Sequence, residues 1–174
     1  MGRRYDSASY ARVVERLRAT VPGVAVHGDV IVGFPTEDEA AWDRSFAFIV
    51  SLGLSGIHAF RYSARPGTPA TRMAGQVDEG TKKRRAAQLL ALAAEGRAAR
   101  AASRVGSAAE VLFETRLEDG CWVGHAEDYV LVAAPESGGR PLENVIARVA
   151  ILGVDPAVAD RTNGRVIDRD SAHA

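Results

Sequence analysis

Apolar positions follow two rhythms along this chain. Residues 24–32 form a nearly unbroken apolar, β-branched run of strand length. A run without strict alternation predicts a strand covered on both faces, as in a parallel sheet. Gly33 and Pro35 break it around one aromatic, Phe34. Thr36 and Glu39 then read as a capping box, with Thr36 as the N-cap. Trp42, Phe46, Ile49 and Leu52 recur at helical spacing and predict one buried stripe, and Gly53 sits where a helix-ending glycine is wanted. Residues 55–60 give a second strand. Upstream, Ser7 opens a helix that runs to about Val21, with Tyr10, Val13, Val14 and Leu17 inward. Helix, strand, helix, strand is the order of an α/β sheet, with parallel strands and a right-handed crossover. Each of the two strands keeps an edge with nothing predicted to pair it, so the piece is expected to express poorly or to self-associate.

Ligands in such sheets gather beyond the carboxyl ends of the strands. Here those ends are Gly33, Phe34 and Pro35 on one strand and Arg61, Tyr62 and Ser63 on the other. Gly33 allows close approach of backbone to a ligand, and Arg61 and Arg65 can fork onto a carboxylate or phosphate. The alternative is a plain turn and a solvated charge. Asp29 either lies near such a ligand or satisfies local backbone donors. His58, inside the second strand, reads as a packed residue.

Downstream the pattern changes twice. Asp78 or Thr81 starts a long helix to about Ser103, with Leu89, Leu90 and Leu92 as its apolar set. Its seven basic residues, Lys82, Lys83, Arg84, Arg85, Arg97, Arg100 and Arg104, outnumber Asp78, Glu79 and Glu95. Such a helix either tracks a phosphate backbone or is a solvated outer face. Val105 and Gly106 mark a boundary between residues 1–104 and 105–167. Beyond it come short strands at 110–117, 121–124, 129–133, 145–151 and 164–167, with a hairpin turn at 118–120 and a loop at 135–141. Four or five short antiparallel strands predict a small OB-like barrel, a geometry used for RNA. Trp122, His125 and Tyr129 cluster around one hairpin, where exposed aromatics stack on unpaired bases and buried ones form a core. Residues 168–174 are polar and expected to fray.

Composition narrows the function further. The chain has 174 residues, 47% hydrophobic and 25% charged, with zero net charge. That is enough apolar material for a sizeable core, without a whole-chain field that attracts nucleic acid. The only cysteine, Cys121, excludes an internal disulfide and has no His–Asp arrangement to make it a nucleophile. No signal peptide or membrane span is read, and the expected location is cytoplasmic. No phosphate-binding glycine loop or zinc motif occurs, and no metal ligands are assigned.

Three segments appear in a particular order: Met1 to Tyr5; Asp29, Val30, Ile31, Val32, Gly33, Phe34 and Pro35; and Phe60, Arg61, Tyr62, Ser63, Ala64, Arg65, Pro66, Gly67, Thr68 and Pro69. With Lys82 to Arg85 and with Gly124, His125 and Tyr129, this set resembles the radical-SAM tRNA methylthiotransferases as far as about Leu152. The stretch from Ile57 to Ser63 is most similar to the branch acting on N6-threonylcarbamoyladenosine at tRNA position 37. The isopentenyladenosine-tRNA and ribosomal-protein branches are alternatives, as is a non-catalytic RNA-binding remnant.

The resemblance implies an α/β fold, the C-terminal part of a radical-SAM partial (β/α) barrel followed by an all-β TRAM-like, RNA-binding barrel. It implies S-adenosylmethionine and two [4Fe–4S] clusters in the full-length family. Val30, Val32 and Gly33 would flank the adenine end of S-adenosylmethionine, Asp29 would bind the cofactor as well, and Arg61 and Tyr62 would line the same mouth. Lys82, Lys83, Arg84, Trp122, His125 and Tyr129 would meet tRNA. In the family, the cofactor-derived radical takes hydrogen from C2 of the modified adenine, where a methylthio group is installed. One cysteine cannot ligate either cluster. The chain is therefore expected to be inactive alone and to need a missing N-terminal half as partner.

Overall fold

A computed structural model describes residues 4–136 and 141–169. Two compact units divide between Gly96 and Arg97. The first unit contains α1 (Ser7–Thr20), β1 (His27–Val32), α2 (Glu39–Leu52), β2 (Gly56–Arg61), a short 3-10 turn (Pro69–Arg72) and most of α3 (Glu79–Ser103). The second takes the end of α3 and β3 (Ala108–Arg116), β4 (Trp122–Ala126), β5 (Leu131–Ala134), β6 (Val145–Val154) and β7 (Arg161–Arg169).

Both early helices are capped by an aspartate close to the expected residue. Asp6, not Ser7, caps α1, its carboxylate accepting from the Ser9 N–H at 2.7 Å. Asp38, not Thr36, caps α2, accepting from the Ala41 N–H at 2.7 Å. Thr36 instead sits in the left-handed region at φ 74° and donates its N–H to the Gly75 carbonyl at 2.8 Å. The α2 stripe of Trp42, Ile49 and Leu52 is buried as its spacing predicts, and Gly53 ends the helix at φ 54°.

β1 and β2 pair in parallel, from His27 opposite Gly56 to Val32 opposite Arg61. Their coverage differs from the expectation of two buried faces. Val32, Ile57, Val30 and Ala59 join one core with Val14 of α1, Trp42 and Ile49 of α2, and Leu89 and Ala93 of α3. The other face carries Asp29, Ile31, His58 and Phe60, with Ile31 43% and Phe60 52% exposed. Three helices lie on one side of two strands, and among the described residues nothing covers the opposite side.

α3 starts at Glu79 beneath Asp78, whose carboxylate accepts from the Thr81 N–H at 2.9 Å. Its buried line runs through Ala86, Leu89 and Ala93, while Leu90, expected inside, is exposed. Gly96 marks its closest approach to the loop after α2. A Cβ there would lie 2.4 Å from the Leu54 carbonyl oxygen. Glycine to alanine inside a helix ordinarily gains about 1 kcal/mol. Here the fixed backbone opposite reverses the sign, and Gly96→Ala is expected to lower stability by about 1–3 kcal/mol. Urea unfolding of the two proteins side by side checks the direction.

The second unit is a closed barrel in the order β3-β4-β5-β7-β6. Every pair is antiparallel except β5 with β7, which are parallel. That one pair departs from the expected all-antiparallel arrangement. Hairpin signals report only sequential neighbours, whereas β7 inserts between β5 and β6. Alternate residues fill the interior: Ala109, Val111 and Phe113 from β3, Ala147, Val149 and Ile151 from β6, with Trp122 and Val132. β7 continues through Arg169, so 168 and 169 of the tail expected to fray are strand, and residues 170–174 of that expectation lie outside the described ones.

Candidate functional site

The carboxyl ends of β1 and β2 bring Gly33, Arg61 and Tyr62 together, and α3 closes over them. Gly33, at φ 74°, donates its N–H to the Glu37 carboxylate at 2.9 Å. The same oxygen accepts from Arg85 Nη1 at 2.7 Å, and Arg85 Nη2 reaches Glu39 at 3.0 Å. Arg85 is only 1% exposed, and its guanidinium carbon lies 5.6 Å from the centroid of Trp42. A buried helix arginine thus holds the loop after β1 through a shared carboxylate.

Lys82 completes the closure. A Cβ at Gly33 would lie 2.3 Å from its Cγ, so the close approach that Gly33 permits is to the chain's own lysine stem. Lys82 Nζ donates to Glu79 at 2.8 Å and stands 5.3 Å from the Tyr62 ring centroid. That hydrogen bond holds the Glu79 carboxyl below its ordinary range. Arg61 approaches the other Glu79 oxygen at 3.6 Å. Tyr62 meets Phe34 edge-on, with its hydroxyl buried and without a hydrogen-bond partner among the described residues.

The six residues expected to face a cofactor therefore divide. Asp29 and Arg61 are exposed and Tyr62 is half-buried. Val32 and Gly33 are buried on the helix side, with Val30 half-buried beside them, so these three do not look onto the open face. Glu37, Glu79 and Arg85 complete the cluster and were not legible as site residues, because the Arg85–Glu37 and Arg61–Glu79 pairs join separate elements.

The cations of α3 are almost all engaged. Lys82 pairs with Glu79, Arg84 with Glu39, Arg85 with Glu37 and Glu39, Arg97 with Asp160, and Arg100 and Arg104 with Asp128. Among the described residues, Lys83 alone of the seven is exposed with no ion pair. Lys82, buried and paired, is withdrawn from the expected row of phosphate contacts.

In the barrel unit the aromatic trio also divides. Trp122 is 6% exposed and belongs to the core, its Nε1–H donating to Glu136 at 3.2 Å, so it offers no stacking face. Tyr129 is 74% exposed in the turn after β4, at φ 64°. His125 stands beside it with ring centroids 6.4 Å apart, and its Nδ1 lies 2.8 Å from a Glu114 oxygen. Across the strands, His125 is opposite Leu112 and Leu112 is opposite Ile146, which makes one exposed stripe. Residues 105–174 hold six basic against twelve acidic residues, so attraction to phosphate is not what this unit supplies.

Among the described residues no group of three or more His, Cys, Asp or Glu is placed to hold a metal ion. The residues present therefore do not fit an iron–sulfur cluster. Burial, then Asp119, pushes the Cys121 thiol above its ordinary range, which disfavours the reactive thiolate. No helix among the described residues is long and apolar enough to cross a membrane.

No protein-family model matches the chain. Its relatives are nevertheless clear. Threonylcarbamoyladenosine tRNA methylthiotransferase MtaB of Thermotoga maritima is 38% identical over 169 residues, 95% of this chain and 38% of the relative. MtaB of Bacillus subtilis is 35% identical over 156 residues, 87% of this chain and 34% of the relative. A tRNA-2-methylthio-N(6)-dimethylallyladenosine synthase of Maricaulis maris is 40% identical over 114 residues, 66% of this chain and 25% of the relative. The chain spans between a quarter and two fifths of the length of these relatives. By their names these relatives are enzymes that modify tRNA. The chain's family is that of the tRNA methylthiotransferases, and it corresponds to their C-terminal part.

Proposed function

We propose that this chain is the tRNA-engaging C-terminal part of a methylthiotransferase that adds a 2-methylthio group to N6-threonylcarbamoyladenosine at tRNA position 37. The observation that carries the choice of branch is the extent of the match. Similarity to the Thermotoga maritima MtaB runs through 95% of the chain, barrel unit included, while similarity to the dimethylallyladenosine synthase covers 66%. S-adenosylmethionine and iron–sulfur clusters held elsewhere in the whole enzyme supply the radical and the sulfur. Asp29, Arg61 and Tyr62 of this chain line the S-adenosylmethionine mouth, with Gly33 and Glu37 fixing the loop between them. The barrel, TRAM-like and OB-like in its size and closure, holds RNA by base stacking on Tyr129 and His125; separately, Lys83 of the first unit is a phosphate contact. This work is done in the cytoplasm, with tRNA and the remainder of the enzyme as partners. A non-catalytic RNA-binding protein is the second reading, favoured by the lack of any cluster-holding group among the described residues.

The RNA reading is tested on the chain itself. Fluorescence anisotropy with an unmodified tRNA anticodon stem–loop should show binding that Tyr129→Ala weakens about 5- to 150-fold, the loss of one stacked base. Unchanged affinity in both Tyr129→Ala and His125→Ala sinks the stacking surface. Mass spectrometry of tRNA from a strain lacking the protein then separates the branches, through which adenosine loses its 2-methylthio group.

A further inference from the structure

The geometry points to His58 as the residue that selects the substituent on the substrate base. Its imidazole hydrogen-bonds a ureido group that carries a carboxylate, and a plain alkenyl group leaves that imidazole unmatched. The inference rests on the proposed modification of N6-threonylcarbamoyladenosine and deepens it, by naming the side chain that tells this base from its dimethylallyl counterpart.

Strand phase places the residue. Ile57 and Ala59 turn to the helices and join their core. His58 and Phe60 turn the other way, onto the open face, so the histidine expected to be packed is exposed. Across the parallel pair, Asp29 stands opposite His58 and Ile31 opposite Phe60. The face therefore carries a polar row and then, about 7 Å nearer the carboxyl ends, an apolar row. Arg61 follows at the end of β2, its side chain 54% exposed. Among the described residues neither His58 nor Asp29 makes a hydrogen bond or ion pair. The His27 ring lies 6.4 Å from that of His58 and covers Gly56, where a Cβ would come within 2.9 Å of His27 Nδ1. The absent side chain at Gly56 thus seats His27 at the amino end of the face, and His58 is left bordering the apolar row.

The ligand follows from this order of rows. Ile31 and Phe60 offer a flat purine an exposed apolar surface, on the side of the sheet where Asp29 borders the proposed cofactor mouth. A base resting there brings its exocyclic N6 substituent within reach of the polar row. The threonylcarbamoyl group carries a urea, a hydroxyl and a carboxylate. An imidazole N–H of His58 donates to the carboxylate or to the urea carbonyl. Like charge keeps the ligand carboxylate away from Asp29, and the Arg61 guanidinium attracts it. A dimethylallyl group has no acceptor. It would take His58 and Asp29 out of water without replacing their hydrogen bonds, which is unfavourable. Polar groups of this kind reject an analogue lacking the partner more strongly than an apolar pocket rejects an isostere.

The test titrates the isotope-labelled 174-residue chain with three nucleosides: N6-threonylcarbamoyladenosine, N6-dimethylallyladenosine and adenosine. Nuclear magnetic resonance follows its four histidine rings, and the spectrum of His58→Ala assigns the His58 signal. The expected result is a saturable shift of the His58 ring with the threonylcarbamoyl nucleoside, at lower concentration than with either of the other two. His58→Ala should weaken that binding about 5- to 30-fold, the loss of one hydrogen bond to a charged group, and should bring the three nucleosides level. His58→Gln, which keeps an N–H donor at similar reach, should retain part of the preference. Absence of binding, equal binding of the threonylcarbamoyl and dimethylallyl nucleosides, or a preference that survives in His58→Ala overturns the proposal. His58 is exposed, so its replacement empties no core position, and the nucleoside preference of the unsubstituted chain decides the matter even if a variant does not fold. The tRNA of the strain lacking the protein is read separately. Loss of the 2-methylthio group from threonylcarbamoyladenosine there, with no His58 effect here, overturns this proposal and leaves the proposed function standing.

Discussion

Arg85→Ala is expected to destabilise the first unit by about 3–5 kcal/mol, the usual cost of stripping one partner from a buried ion pair. The residue is nine-tenths or more enclosed, and three acceptors converge on it: the Glu37 carbonyl at 2.9 Å, the Glu37 carboxylate at 2.7 Å and Glu39 at 3.0 Å. Glu37 is itself largely sheltered, with a side chain 16% exposed. Without the guanidinium it stays half-satisfied by the Gly33 N–H alone. Urea unfolding with peptide-resolved hydrogen exchange gives the number, and faster exchange should centre on β1, α2 and the loop between them. A loss under about 1 kcal/mol would place Arg85 with ordinary surface pairs instead. The double variant Arg85→Met with Glu37→Gln should recover part of the loss, because an uncharged cluster leaves no carboxylate stranded.

Asp128→Ala is the corresponding experiment in the second unit. Asp128 Oδ2 accepts from Arg100 Nε at 2.8 Å and lies 3.5 Å from Arg104 Nε, with all three side chains under a fifth exposed. Removing it leaves the Arg100 guanidinium without its carboxylate, while Arg104 keeps Glu127 at 3.3 Å, and a loss of about 3 kcal/mol is expected. Thermal unfolding followed by far-ultraviolet circular dichroism checks the size. If the last turns of α3 were merely a linker, the melting temperature would hardly move. Ala101, fully buried in the barrel core, argues that those turns are part of the folded unit.

Local signals carried much of this fold. The spacing of Trp42, Ile49 and Leu52, the stop at Gly53 and the two parallel strands follow from periodicity and turn residues. The five short strands of the barrel follow from alternation. What sequence reasoning missed depends on partners far along the chain. Thr36 looked like a cap because Glu39 follows at the right interval. In the folded protein Arg85, 46 residues beyond Glu39, draws that glutamate away and leaves Asp38 to cap. The α3 cations looked like a phosphate track for the same reason, since Asp128 and Asp160 lie on barrel loops. Trp122 and Tyr129 share one hairpin, yet only the strand phase, set by closure of the barrel, turns the first inward and leaves the second in the turn outside. Lys82 over Gly33 had no local signal at all.

The near-complete pairing along α3 has a consequence for how this surface responds to ionic strength. A nucleic acid lying along the helix would find Lys83 as the one cation there unmatched among the described residues. Each neutralised phosphate releases condensed counterions and contributes about −0.7 to −0.9 to the slope of log affinity against log salt. The helix therefore contributes a slope of only about −1, and added salt should weaken contacts made through α3 far less than its six basic residues suggest.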